Sequence, residues 1–225
     1  MKNKIISILL GLLVMTGIMA QNECSKFYPF KEDTKFQITS YDKKDKVSAV
    51  IDYVVKESSG NTATLSYQMH DDKGELILTS EYGMKCEEDG VSIDFKSLVA
   101  PGIMDQYKDM ELEITGTNIL YPNTLNEGQT LPDADMLMTI KIEPISLKMT
   151  VKIFNRKVVG KESISTPAGS FECYVISYDY ESKMGIKMSG TSKLWMALGV
   201  GTVQQEDYNK KGAVISKSVL TKFEK

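Results

Sequence analysis

Histidine occurs once in this chain, at His70, and that scarcity removes most metal and acid–base chemistry at the outset. A histidine that serves as a zinc ligand or a triad base needs partners. His70 instead stands on the polar face of an alternating run, beside a turn and with no cysteine close by in sequence. Its expected role is solvated and structural. Basic clusters are also missing. The formal charge is −3, and an acidic chain without a lysine- or arginine-rich tract lacks the electrostatic footprint of a nucleic-acid or anionic-headgroup binder. Beyond the first residues, no apolar run approaches the roughly 20 residues of a membrane-spanning helix, so no transmembrane segment is expected in the mature chain. Internal repeats of 20 to 50 residues are absent as well.

What is present begins with the N-terminus. MKNKIISILLGLLVMTGIMA sets Lys2 and Lys4 before an apolar stretch that leads to small residues, the order of a secretory signal peptide. Cleavage is expected between Ala20 and Gln21, leaving residues 21–225 as a single domain in the periplasm or outside the cell. Cys24 follows Gln21, Asn22 and Glu23 rather than the small and apolar residues of a lipid-attachment box. The three cysteines are Cys24, Cys86 and Cys173. An odd number in an oxidising compartment leaves one free or paired between chains. Cys24 with Cys86 is the expected bridge, since both flank segments whose backbone can adjust; the alternative is that the two are free structural thiols.

Alternation of apolar and polar residues dominates the remainder. Ala63, Leu65, Tyr67 and Met69 share one side of NTATLSYQMH, and Val47, Ala49, Ile51, Tyr53 and Val55 do so in the preceding run. Period two marks strands with one covered face. Gly60-Asn61, the run Asp71 to Gly74 and the run Asn209 to Gly212 separate such stretches as hairpin turns. The segment Ser97 to Met110 breaks the rhythm and is expected to hold a short helix or a loop, and Pro144 to mark a turn or an edge. Roughly ten strands with little helix imply an all-β fold, one antiparallel sheet that must curl into a barrel or half-barrel.

Candidate chemistry thins out on inspection. Ser170 follows Gly169, but the strand and the Phe171-Glu172 that follow it do not make a nucleophile elbow, which requires G-x-S-x-G between strand and helix. Cys173 shares a face with Phe171 and Val175, where a thiolate is disfavoured. Acidic groups such as Asp71-Asp72 and Asp133/Asp135 lack the spacing of a calcium loop. No catalytic residue, metal or cofactor is expected. Methionine is plentiful in the second half, and flexible thioethers suit variable apolar partners as well as irregular cores. Met138, Met149, Met188 and Trp195 are the candidates for lining a pocket.

NRKVVGKESISTPAGSFECYVISYDYESKMG and KLWMALGVGTVQQEDYNKKG resemble the TapB-like family of exported proteins, a domain-of-unknown-function 3108-like group sharing a TPAG-F-C corner and a W-x-x-x-GVG-V segment. SKFYPFKEDTKF fits the same pattern, so the resemblance spans the mature chain. It implies a curved sheet similar to those of lipoprotein carriers such as LolA and LolB, and no established catalytic residues. From it follows one expected partner, a lipid or other apolar small molecule in the curved sheet; the alternative is an assembly module with a filled core, whose exposed edge strands or loops meet a protein of the cell envelope.

Overall fold

The structure, a computed structural model, describes residues 25–98, 110–142 and 144–224. Thirteen strands follow one another: β1 (Lys35–Asp42), β2 (Val47–Ser59), β3 (Thr62–His70), β4 (Leu76–Glu87), β5 (Gly90–Ile93), β6 (Glu111–Thr117), β7 (Ile119–Pro122), β8 (Ala134–Ile142), β9 (Ile145–Thr166), β10 (Gly169–Met184), β11 (Ile186–Ala197), β12 (Gly201–Tyr208) and β13 (Val214–Glu224). One short 3-10 helix, Phe95–Leu98, follows β5. The expected all-β fold is present. Most of the segment that broke the sequence rhythm, residues 99–109, lies outside the described residues.

All thirteen strands form one sheet in the order β6-β8-β9-β10-β11-β12-β13-β1-β2-β3-β4-β5-β7. Its two edge strands, β6 and β7, are consecutive in the chain and joined by Asn118 alone. A one-residue connection brings the two ends of the sheet together, so the sheet is nearly closed into a barrel. Asn118 ties the junction, donating from Nδ2 to Ser92 Oγ at 3.0 Å and accepting from the Phe95 amide at 3.0 Å. At the middle of the order β1 pairs with β13, from Lys35 opposite Glu224 to Asp42 opposite Ser216.

Turn chemistry sets the register. At Asp42, Asp71 and Asn209 a side-chain oxygen accepts from the amides two and four residues on, at 2.8 to 3.1 Å. The fourth residue of each of these turns takes a left-handed conformation: Gly74 at φ 82°, Gly212 at φ 76°, and Asp45 at φ 56°. A residue with a Cβ is strained there while glycine is not. Asp45→Gly should therefore raise stability by about 0.5 kcal/mol after glycine's larger unfolded-state entropy is subtracted, read as a higher urea midpoint at unchanged slope.

The same turns titrate. Amide donation, from Lys46 and then Lys44, holds the Asp42 carboxyl below its usual range, and the Glu75 amide leads the same effect at Asp71. A folded pKa below the unfolded value of about 3.9 gives stability that is present above pH 4 and lost as pH falls through the folded value. Asp42→Asn with Asp71→Asn keeps the amide acceptors, as Asn209 does. The double variant should show a flatter fall of the urea midpoint between pH 5 and pH 2.5 than the parent.

The TPAG corner is the tight reversal between β9 and β10. Thr166 faces Gly169, and Thr166 Oγ1 accepts from the Ala168 amide at 3.1 Å. As its composition predicts, β10 is covered on both sides. Cys173 and Val175 are buried with Trp195, Ala197, Val203, Leu220 and Ile38, while Ile176 belongs to a second cluster with Leu194, Met196, Val55 and Leu65.

Candidate functional site

The second of those clusters surrounds a cavity of about 350 Å³. Its walls come from around the barrel: Tyr53 of β2, Tyr67 of β3, Tyr82 of β4, Ile93 of β5, Ile119 and Tyr121 of β7, Ile153 and Arg156 of β9, Tyr178 of β10, Leu194 of β11, and Thr202 and Gln205 of β12. Ser97 and Leu98 of the 3-10 helix and Tyr28 of the N-terminal lead-in complete the lining.

The lead-in is built to place its aromatic residues inside. Ser25 Oγ accepts from the amides of Phe27 and Tyr28, the Lys26 amide donates to Asn123 Oδ1 at 2.8 Å, and the Gly199 amide donates to the Lys26 carbonyl at 2.7 Å. Phe27 then meets Tyr174 edge-on at 5.6 Å. Tyr28 packs over Gly201, where any Cβ would come within 3.1 Å of its ring. The tyrosines form a band, with Phe36 stacked on Tyr53 at 4.7 Å and then Tyr53–Tyr67 and Tyr67–Tyr82 contacts at 5.5 and 6.1 Å. Cross-strand aromatic pairs of this kind also fix register.

Burial pushes the phenols of Tyr28, Tyr53, Tyr82 and Tyr178 upward from their ordinary values, because desolvation opposes the phenolate. Tyr82 and Tyr178 are only partly covered by protein, and they border the cavity. Their hydroxyls stay neutral and able to donate. No carboxylate, histidine or cysteine lines the space among the described residues.

Arg156 is the sequence's one arginine and is 1% exposed. A bulge aims it inward: Asn155 and Arg156 together oppose the single residue Tyr178 in the β9–β10 ladder, and bulges of this type re-aim side chains. Asn155 takes the required left-handed backbone at φ 54° and is anchored by donation from Nδ2 to Asp179 Oδ2 at 2.8 Å. Nη1 of the guanidinium donates to the carbonyls of Leu120 at 3.1 Å and Pro132 at 2.6 Å. The group lies over the Tyr121 ring, 4.9 Å from its centre. Nη2 is buried without a hydrogen-bond partner, and among the described residues no carboxylate forms an ion pair with this cation.

The residues singled out from sequence lie elsewhere. Met138 and Met149 are packed together with Met136 and Ile140 in a filled cluster, Met188 is 63% exposed, and Trp195 donates from Nε1 to Glu162 Oε2 at 2.8 Å. None of the four borders the tyrosine cavity. Cys86 is disulfide-bonded; Cys24, Ala20 and Gln21 lie outside the described residues. Cys173 is a free, buried thiol whose pKa burial pushes up to about 11. His70 is more engaged than a solvated residue, with Nδ1 3.6 Å from Asp52 Oδ2.

Arg156 had a legible signal that the alternation alone passes over. Ile153 and Val158 both point to the core, yet they are five apart, so a strict period of two must break between them. The break falls at Asn155, a residue suited to left-handed backbone. A lone arginine at such a break is a marker of an inward-turned charge.

The profile of the DUF3108-like family matches residues 31–220. A solved structure from Bacteroides fragilis, described as a candidate exported protein with a YmcC-like fold, is similar with a TM-score of 0.74 at 22% identity, over 90% of this chain and 100% of the other. A candidate lipoprotein from Parabacteroides distasonis gives 0.73 at 25% identity with the same coverage. None of these matches carries the TapB name, and no curated protein matches the chain.

Proposed function

The chain belongs to the DUF3108-like family, and from that premise we propose that it is an extracytoplasmic binding protein that holds a small amphipathic molecule inside its sheet. The observation that carries this reading is the cavity of about 350 Å³ with its tyrosine, isoleucine and leucine walls. That volume is at the lower end of small-molecule sites, so it suits one compact molecule rather than a multi-chain lipid. Binding is favoured over catalysis because the described lining offers no carboxylate, histidine, lysine or cysteine to act as a general base. Binding to a partner through an open sheet edge is disfavoured, because the edge strands β6 and β7 are short and their ends meet.

Native mass spectrometry of protein recovered from the envelope should reveal an added mass of a few hundred daltons that organic extraction removes. Recovery of only the bare chain, together with failure of any amphiphile to raise the melting temperature, would overturn the carrier role. The descriptions of the Bacteroides fragilis and Parabacteroides distasonis proteins support export of this chain. On this reading a signal peptide directs export and is cleaved between Ala20 and Gln21, and Cys24 pairs with the disulfide-bonded Cys86. Cys24 cannot carry a lipid thioether and pair with Cys86 at once. Peptide mapping of the mature protein without reductant should thus recover an N-terminal Gln21 and a Cys24–Cys86 bridge, whereas a lipid-bearing N-terminal cysteine would refute both.

A further inference from the structure

We infer that the molecule held in the cavity carries a single carboxylate-class anion, placed beside the guanidinium of Arg156, on an apolar or aromatic body. This rests on the carrier reading and specifies its ligand. The argument begins with charge. Arg156 remains a cation at any working pH, it is 1% exposed, and a charge removed from water is costly unless it is paired and hydrogen-bonded. Two carbonyls and one aromatic face meet part of that requirement. They occupy Nη1 and a ring face, leaving Nη2 buried and without an acceptor in a residue that lines the cavity.

The charge count limits the ligand. With no acidic side chain in the described lining, one negative charge neutralises the site and a second would be buried without a partner. A neutral alcohol would leave the cation uncompensated, and a cationic amphiphile would oppose it. Neutral phenols around the cavity supply further donors to the same anion. Charge-assisted bonds of this kind are about twice as strong as neutral ones. Leu98, Ile119, Ile153 and Leu194 offer the apolar surface for the body of the molecule.

A structural role for Arg156 accounts for Nη1, since the bonds to Leu120 and Pro132 join β7 and the connector to β9. It does not account for Nη2. The test compares decanoate, decanol and decyltrimethylammonium, all of one chain length, by calorimetry on the full-length mature protein freed of bound molecules by refolding. Decanoate should bind at least tenfold more tightly than decanol, and the cation should not bind. Arg156→Met, of similar reach but without charge, should bring the decanoate-to-decanol ratio to about one.

Equal affinity of the unaltered protein for decanoate and decanol would overturn the anion assignment while leaving the carrier reading intact. Absence of binding by all three probes would overturn the carrier reading and this inference with it. The comparison on the unaltered protein decides the matter even if Arg156→Met does not fold, and Arg156→Lys then gives the second variant. Retaining the charge but losing the bond geometry, it should keep a preference for decanoate of severalfold. A lysine variant with no preference would refute the role given to the charge.

Discussion

Arg156→Ala should lower stability by about 3 kcal/mol, the result of emptying the space of a large side chain that is 1% exposed and removing the donor to two part-buried carbonyls, less the relief of an unpaired buried charge. In a chain of this size that is a fall in melting temperature of roughly 6 to 12 °C. The reason for so large an effect is location. Leu120 lies in edge strand β7 and Pro132 in the connector to β8, while Arg156 is in β9, so one guanidinium joins β7 to β9, which no ladder connects, and reinforces the bridge of Thr130 with Lys157 that holds the connector to β9. Arg156→Met should cost less, since it retains the packing of the side chain. Thermal and urea melts of both variants check the order. A fall of under 1 kcal/mol for the alanine variant would show that the carbonyls find other donors.

A comparable loss, of about 3 to 4 kcal/mol, is expected for Gly90→Ala at the junction of β5 with β7. Gly90 stands opposite Pro122, and a Cβ there would come within 2.2 Å of the Tyr121 carbonyl oxygen and 2.8 Å of the Pro122 Cα. Those are backbone atoms and cannot rotate away. Its φ of 149° adds conformational strain of about 1 to 3 kcal/mol to the overpacking. Relief requires β7 to move off β5, which separates Tyr121 and Ile119 from the cavity wall. Gly60→Ala is the informative comparison, because Gly60 has φ 60° but nothing within 4 Å of where a Cβ would stand. That change should cost only about 1 kcal/mol. Equal effects for the two would mean that backbone conformation, and not the close approach of β7, governs Gly90.

Local features were the legible ones. The alternation through Ala63, Leu65 and Tyr67 marked a strand and its covered side, and Asp71 to Gly74 marked the turn after it, because each depends on neighbours within a few residues. Whether a covered side is filled or hollow depends on which residues meet across the barrel, and those are far apart in sequence. Met138 and Met149 illustrate the difference. Both are buried as their alternation predicts, but they are neighbours on the paired strands β8 and β9 and pack with Met136 and Ile140 in a cluster of their own. Tyr53, Tyr82 and Tyr178 read as ordinary core aromatics in the sequence. They border a cavity because the two edge strands β6 and β7, joined at Asn118, close the sheet around a space that their side chains do not fill, and a one-residue link at Asn118 gives no such warning in sequence.

The pairing of β1 with β13 has a further consequence, for the order of assembly. The ladder from Lys35–Glu224 to Asp42–Ser216 joins segments about as distant in the chain as any two strands here, and such contacts raise contact order and slow folding. Until Val214–Glu224 is available, β1 and β12 each present an unpaired margin, the kind of edge that recruits other chains. A chain stopped before β13 should accumulate as aggregate. A circular permutant that joins the C-terminus to the start of the lead-in through a short linker and opens at Gly60-Asn61 makes that ladder local and turns the β2–β3 ladder into the distant one, so its refolding rate should stay near the parent's while the strand whose loss causes aggregation changes from β13 to β2.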